Sequence, residues 1–369
     1  MLWLIPDIPE MRPFSRPDNK KLSVVLLVML TLGGGGSLFL GEVTSYGQIF
    51  LYGILPAFFV WSLVYGYIWL RYQQLVNSML LWNNETEQTK LRWRHWCIRQ
   101  WCIVGNVVLT AEENGVKALL GDYAKIPAYP QKTRPLHTRL PYIHHRFQYV
   151  DEQMEKQCPG YRHFLHTVKI MLAEPKQQSQ VSMAIYAQWD LYPEYITSID
   201  EALSDTDGGK TTLVICLQDW QSESNTKYSE FITAQLISPA EQVLQYALPV
   251  QAGVGRVLSS DDLKNALNIF SEYILVPSVE LHHIWLTGLN SEDRITVIRH
   301  ASERQWQLPH KQPFHSIDYS FGPPGPLSFP LSVALMVDAA IHTEKIQLVI
   351  SGQKESGYSL CLITRELFS

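Results

Sequence analysis

Three groups of residues in this 369-residue chain have types and spacings that could do chemistry. Asp219, Glu223 and Glu230 flank the segment after an apolar run, Thr211–Leu217 (TTLVICL). Such a run reads as a buried strand. Carboxylates at the carboxyl end of a strand in an α/β sheet can work as acid and base. The simpler reading of the same acids is a solvated loop. His163 and His166 stand three apart and close to Cys158, so a helix there would aim both at one metal ion. No second ligand pair stands at a zinc spacing, and no metal is expected. The doublets His144-His145 and His282-His283 read as surface or hydrogen-bonded histidines. Cys216 lies inside TTLVICL and reads as a buried structural thiol. In Ser320–Gly325 (SFGPPG) glycines could cradle an anion at a helix N-terminus, but Pro323, Pro324 and Pro326 remove the donors, which favours a tight turn. There is no GxSxG, Walker A or GxGxxG motif. The residues therefore assign no catalytic site and no cofactor. A rival enzyme reading would build its site from Asp219, Glu230 or His282.

Two apolar stretches decide where these residues work. Leu22–Leu40 and Gln48–Leu70 carry no charge, and each is long enough as a helix to cross ~30 Å of hydrocarbon. Gly33–Gly36 would cost a soluble helix roughly 1 kcal/mol each but lets a second helix approach closely. Pro56 is expected to kink the second span. A signal peptide followed by one anchor, or a hairpin buried in a soluble protein, fits less well. The glycines interrupt the apolar core, and no small-x-small cleavage site follows. Arg12, Arg16, Lys20 and Lys21 precede the first span, and Arg71, Lys90, Arg92, Arg94 and Arg99 follow the second. The connection Gly41–Gly47 has no Lys or Arg. The positive-inside rule then places both termini in the cytoplasm with a very short outer turn.

The rest of the chain is expected to carry a cytoplasmic mixed-sheet α/β domain at 159–369, after a tail (1–21), the hairpin (22–70) and a helical stalk with proline-rich connector (71–158). A formal net charge of −5 argues against nucleic acid as a partner. Five scattered cysteines without a CxxC suit a reducing compartment. Gln73–Val108 is expected to be helical, its Trp93, Trp96 and Trp101 beside Arg92, Arg94 and Arg99 serving either lipid headgroups or packing on the domain. Further helices are expected at Tyr142–Cys158, Tyr192–Leu203, Ser260–Tyr273, Ser291–Trp306 and Gly325–His342. Strands are expected at His166–Leu172, Val181–Ala187, Thr211–Leu217, Phe231–Ile237, Val243–Leu248, Leu281–Leu286, His315–Tyr319, Ile346–Ser351 and Tyr358–Thr364. No internal repeat is legible.

The block HHIWLTGLN, helix, HSIDYSFGPPGPLSFPLSVALMVDAA, then IQLVISGQKESGYSLCLITRE resembles the C-terminal half of the thiolase-like fold of β-ketoacyl synthases. TTLVICLQDW and SEFITAQLISP resemble strands of its N-terminal half. In that family a strand leads to one catalytic histidine, and a second stands at a GHxxGxxG turn before a long small-residue helix. Here Thr287-Gly288 and Ser320-Phe321-Gly322 stand at those places without histidine, and no cysteine nucleophile sits in an elbow. The resemblance implies the fold without its active site. The hairpin, RQWCIVGNVVLTAEENGVKALLG and a degenerate α/β domain together are also similar to membrane-anchored accessory proteins of bacterial type VI secretion clusters. The expected function is a non-enzymatic inner-membrane adaptor or scaffold. Its partners would be membrane lipid and proteins, either secretion-apparatus components or an effector. A membrane-tethered enzyme acting on acyl or lipid-derived substrates is the alternative, and an immunity protein binding a toxin is a third reading.

Overall fold

The computed structural model describes residues 3, 5, 8–40, 45–121, 125–175, 178–205, 209–220, 227–274, 281–323, 325–353 and 357–367. The chain divides into two units, Ile5–Arg92 and Met1–Leu4 with Trp93–Ser369.

In the first unit, α1 (Asn19–Leu40) is followed by α2 (Tyr46–Ile49), a π-helical turn (Phe50–Ile54) and α3 (Leu55–Cys97). Two helices, Asn19–Phe39 and Tyr46–Cys97, are long and apolar enough to cross a membrane. The glycines do what their size allows. A side chain at Gly33 or at Gly53 would meet the other's carbonyl oxygen at 2.6 Å, so only glycine lets the backbones come this close. The wide π-turn falls where the ring of Pro56 conflicts with the carbonyl four residues earlier. The tail is more than a loose end. Pro9–Met11 runs along α3: Trp82 Nε1 donates to the Pro9 carbonyl (3.0 Å), and Asn83 exchanges hydrogen bonds with the Met11 backbone (2.8 and 3.2 Å).

The second unit is built on one 11-stranded sheet. Its strands and helices alternate along the chain: β1 (Gln100–Leu109), α4 (Ile143–Gln157), β2 (Leu165–Leu172), α5 (Gln178–Trp189), β3 (Pro193–Tyr195), α6 (Ile199–Asp205), β4 (Thr211–Gln218), β5 (Phe231–Ser238) and α7 (Ala240–Tyr246). Then come β6 (Ala252–Gly255), β7 (Leu258–Ser260), α8 (Leu263–Tyr273), β8 (Leu281–Thr287), α9 (Ser291–Glu303), β9 (Phe314–Ser316), α10 (Ile317–Phe321), α11 (Ser328–Thr343), β10 (Ile346–Gln353) and β11 (Gly357–Thr364). The sheet order is β3-β2-β4-β5-β1-β6-β11-β10-β8-β9, with β7 beside β11. Read from each end inward, the two halves match. Three parallel strands are followed by an antiparallel return strand and one more antiparallel strand. The halves join where β1 pairs antiparallel with β6. The sequence shows no repeat because topology, not residue identity, carries it. α11 packs on strands of both halves, and α4 and α5 cover the opposite face of the first half.

Several expectations need correction. The expected helix Gln73–Val108 ends at Cys97, and the chain continues as β1 in the middle of the sheet. The α/β unit therefore starts at Trp93, and the stalk and connector assigned to 71–158 belong largely to it. Trp96 and Trp101 sandwich the Arg256 guanidinium (4.3 and 5.0 Å), the domain-packing reading of that patch. Val181–Ala187 is helical: Val181, Ile185 and Trp189 recur every four residues and are buried. Val243–Leu248 lies in and after helix α7, and the short strand β6 (AGVG) has too few side chains to signal itself. Tyr192–Leu203 splits into β3 and α6, and His315–Tyr319 into β9 and α10.

β1 bulges between Ile103 and Gly105. There the amide of Gln157 pairs with both backbone groups of Asn106 (2.7 Å each). A Cβ at Gly105 would collide with the buried sulfur of Met154. Gly105→Val should lower stability by about 1–3 kcal/mol through overpacking, read as a lower denaturation midpoint of the detergent-solubilised chain. Gly121→Ala, whose Cβ has room, should leave the midpoint unchanged.

Candidate functional site

The two halves converge where β4 ends at Gln218, β8 ends at Thr287 and Gly325–Leu327 lead into α11. A cavity of about 20 Å³ remains there, lined among others by Gln218, Ser229, Glu230, Thr287, Asp318 and Gly322. That is room for about one water. Asp318 fills the side where β8 ends: Thr287 Oγ1 donates to it at 2.7 Å and the Gly288 amide at 2.8 Å. Burial pushes the Asp318 carboxyl up, against those two donors and Arg294. Gln218 fills the other side. Its Nε2 donates to the Ser229 carbonyl (2.8 Å), and its amide lies so close over Gly325 that a Cβ there would strike it. Gly322, at φ +92°, passes Ser229 Oγ and the Lys132 carbonyl where no Cβ would fit.

The proline-rich connector closes the site from outside. Four of its amides find acceptors outside it. Tyr129 N donates to the Tyr319 carbonyl (2.6 Å), Arg134 N to Ser229 Oγ (3.1 Å), Leu136 N to Glu230 Oε2 (3.1 Å) and His137 N to the Thr110 carbonyl (3.0 Å). The Arg134 guanidinium pairs with Glu112 and stacks on Tyr129 (4.0 Å).

Asp219 and Glu230 come together, as a structural cluster. The Arg146 guanidinium, 9% exposed, sits 2.8 Å from Asp219 and 3.5 Å from Glu230. Its Nε donates to the Leu140 carbonyl (2.8 Å). Glu230 Oε1 also accepts from Trp220 N (3.1 Å). Burial raises the Asp219 carboxyl to about 6, with a hydrogen bond to Glu230 in the same direction and Arg146 opposing. Glu230 is thus spent on holding the connector and Arg146. The sequence reading missed Arg146, although it stands at helical spacing with Val150 and Met154 on the buried face of α4. A charge on an apolar stripe was the available signal.

The remaining candidates lie elsewhere, and Glu223 falls outside the described residues. His163 closes a 3₁₀ turn and His166 stands on β2, so the helix that would aim both at one ion is not there. Cys216 is buried and its thiol pushed up to about 12. His282 opens β8, about 16 Å along the strand from Thr287. Its neighbours His283 and His315 (ring centroids 4.6 Å apart) are held neutral, lowered by burial to about 3 and about 4. Asp219, Glu230 and His282 therefore do not form one site. Of Ser320–Gly325, Ser320 and Phe321 close α10, Gly322, Pro323 and Gly325 lie beside the cavity, and Pro324 falls outside the described residues.

No family model matches the chain, and no curated protein matches it in sequence. Solved structures do resemble it. One is the ketosynthase of a type II polyketide synthase, solved with its acyl-carrier protein and a bound hexaketide, at a TM-score of 0.54 and 9% identity over 73% of this chain and 99% of that one. A second is the oxazolomycin ketosynthase domain from Streptomyces albus JA3453, at 0.52 and 8% over 73% and 96%. A third is the ketosynthase from module 6 of the bacillaene synthase of Bacillus subtilis 168, at 0.50 and 10% over 73% and 71%. At such identity the likeness shows the fold alone: a mixed α/β, thiolase-like domain.

The cluster of one guanidinium and two carboxylates gives a pH signature. Asp219 keeps its proton to about pH 6 in the fold, whereas an unfolded aspartate titrates near ~3.9. Its contribution is present below about pH 4 and is lost as pH rises through 6. Asp219→Asn should remove that slope and raise stability by about 1–2 kcal/mol above pH 6, allowing for partial solvent screening. Arg146→Met strands two carboxylates and should cost about 3–5 kcal/mol at pH 7. Denaturation midpoints of the full chain between pH 4 and 8 check both.

Proposed function

We propose that this chain is a non-enzymatic, membrane-anchored adaptor whose thiolase-like domain binds protein rather than turning over substrate. The observation that carries this reading is the closed convergence point of the two halves. Thr287-Gly288 and Ser320-Phe321-Gly322 stand where the family resemblance leads one to look for histidines, and Gln218, Glu230, Asp318 and Gly322 line a void of about 20 Å³. An acyl chain has no room there.

The hairpin reading gains support from Trp3. Trp3 belongs to the α/β unit, where its indole N–H donates to the Val257 carbonyl (3.0 Å) and its ring meets Trp96 edge-on (5.4 Å). The intervening residues 5–92 leave that unit and return to it. A membrane crossed on the way is crossed an even number of times, so a single-pass anchor does not fit. With the basic flanks, this favours a bacterial inner-membrane protein with both termini cytoplasmic. Placement within a type VI secretion apparatus rests on the resemblance of the hairpin and the RQWCIVGNVVLTAEENGVKALLG segment to accessory proteins of such clusters.

A tethered enzyme on acyl or lipid-derived substrates is the second reading. It is favoured by a separate cavity of about 160 Å³ beside Thr197, Ser198, Ser259 and Ser359. Ser198 there accepts from Glu201 N (3.3 Å), while Glu201 accepts from Thr197 N (3.0 Å), so its hydroxyl serves as a helix cap. Cross-linking in native membranes, followed by mass spectrometry of what purifies with the full chain, separates the two readings. Secretion-apparatus components or an effector are the expected catch. Recovery of an acyl carrier or lipid alone, with acyl turnover that Ser198→Ala abolishes, would overturn the adaptor.

A further inference from the structure

Helix α5 is apolar on two faces. Val181, Ile185 and Trp189 face the core. The outer face carries Met183 (71% exposed) and Tyr186 (42%) three residues apart, and Tyr192 (74%) lies on Tyr186 with ring centroids 4.6 Å apart and planes 22° from parallel. A surface helix ordinarily shows water a polar outer face. Here exposed rings are instead held in place by one another. A third ring, Tyr195, is fixed beside them: its hydroxyl donates to the Gln178 carbonyl (2.7 Å) and lies 2.6 Å from Ser182 Oγ. Rings already ordered lose little entropy when a partner covers them, and tyrosine is enriched at binding hot spots.

Within the segment that carries these rings the charge has one sign, although Glu194 is paired across strands with Lys169 of β2 (3.9 Å), which leaves Asp190 as the acid nearest the rings. From Gln178 to Leu203 the chain carries Asp190, Glu194, Asp200 and Glu201 and no Lys or Arg. Asp190 is close enough to Tyr186 to raise that hydroxyl's pKa. Asp190 itself sits in the left-handed region at φ +57°, which turns the chain from α5 toward β3 and brings Tyr192 back onto the helix. β3 is the terminal strand of the sheet, but strand addition fits poorly. It is three residues long, and Pro193 has no N–H to offer.

We propose that the α5–β3 face is a docking surface for a protein partner that presents arginine or lysine side chains around an apolar anchor. The anchor covers Met183 and the Tyr186–Tyr192 stack, and the cations lie over the rings and against Asp190. Anionic lipid headgroups and nucleic acid would be repelled by the same acids. The inference rests on the adaptor reading and names the surface and chemistry it would use.

A photo-cross-linking residue at Met183 tests it in the full-length chain in native membranes, with the same residue at Leu244, 82% exposed on α7, as control. The expected result is a protein adduct at Met183 and none at Leu244, mapping to a partner peptide that contains Arg or Lys. Tyr192→Arg in the Met183 background should cut the adduct about tenfold, and Asp190→Asn, an exposed change compatible with that φ, about threefold. Added salt should weaken it too. A Met183 adduct unmoved by both substitutions overturns the proposal. So does a partner that still purifies with the chain while Met183 gives no adduct, and that outcome leaves the adaptor reading standing. No protein partner by either method overturns both.

Discussion

The α/β unit depends on a single buried helix. α11 hides Phe329, Leu331, Val333, Leu335, Met336 and Val337 together with its alanines. It is apolar all round, so water is not an option for any face. It packs on β1, β5 and β6 and on β8, β10 and β11, so both halves of the repeat need the same helix. Its one acidic residue fixes its rotation. Asp338 Oδ1 accepts from Asn106 Nδ2 (2.7 Å), Asn106 in turn accepts from Gln235 (3.2 Å), and burial raises the Asp338 carboxyl to about 6. One polar chain thus locks α11 to β1 and β5 near the seam where the halves join.

At the convergence point this shared helix sets the register. Because both halves hold α11, its first turn falls at one place relative to β4 and β8. The fold still delivers two strand ends and a helix start to a common point. The side chains delivered there have changed character. Asp318 satisfies its bonds with a local hydroxyl and a backbone amide, whereas Gln218 is held through its Nε2 alone and its buried Oε1 has no hydrogen-bond partner.

Legibility in the sequence followed the clarity of its patterns. TTLVICL is a continuous apolar run and reads as a central strand at once. So does the long apolar helix before the closing hairpin, and the two uncharged stretches of the N-terminus leave little choice of element. α5 was misread because VSMAIYA also alternates, and only its apolar outer face, left exposed among the described residues, makes the alternation plausible. A short strand is legible from Gly105, but the first half of β1 was missed because the Trp- and Arg-rich lead into it continues a helix that ends only at Cys97. Of the site, Glu230 and Asp219 were legible as a pair, but their partner Arg146 comes from a helix more than seventy residues earlier. Long-range charge pairing leaves no local period to read.

The connector is tied down by both polar and apolar contacts. Pro127, Pro130 and Pro135 remove amides that would otherwise need partners. The amides of Tyr129, Arg134, Leu136 and His137 meet acceptors on α10, just before β5 and just after β1, and Lys132 N closes a turn on the Tyr129 carbonyl (3.2 Å). Ile126 packs against one core cluster and Leu136 and Leu140 against the other, so the attachment rests on apolar burial as well as on those bonds and the Arg134 stack. Glu230 stands at the centre, taking Leu136 N with one oxygen and Trp220 N and Arg146 with the other. A carboxylate engaged through both oxygens in this way is held in one place by the backbone it binds. One of the three carboxylates that the sequence offered for acid–base work is thus the one that ties the connector down.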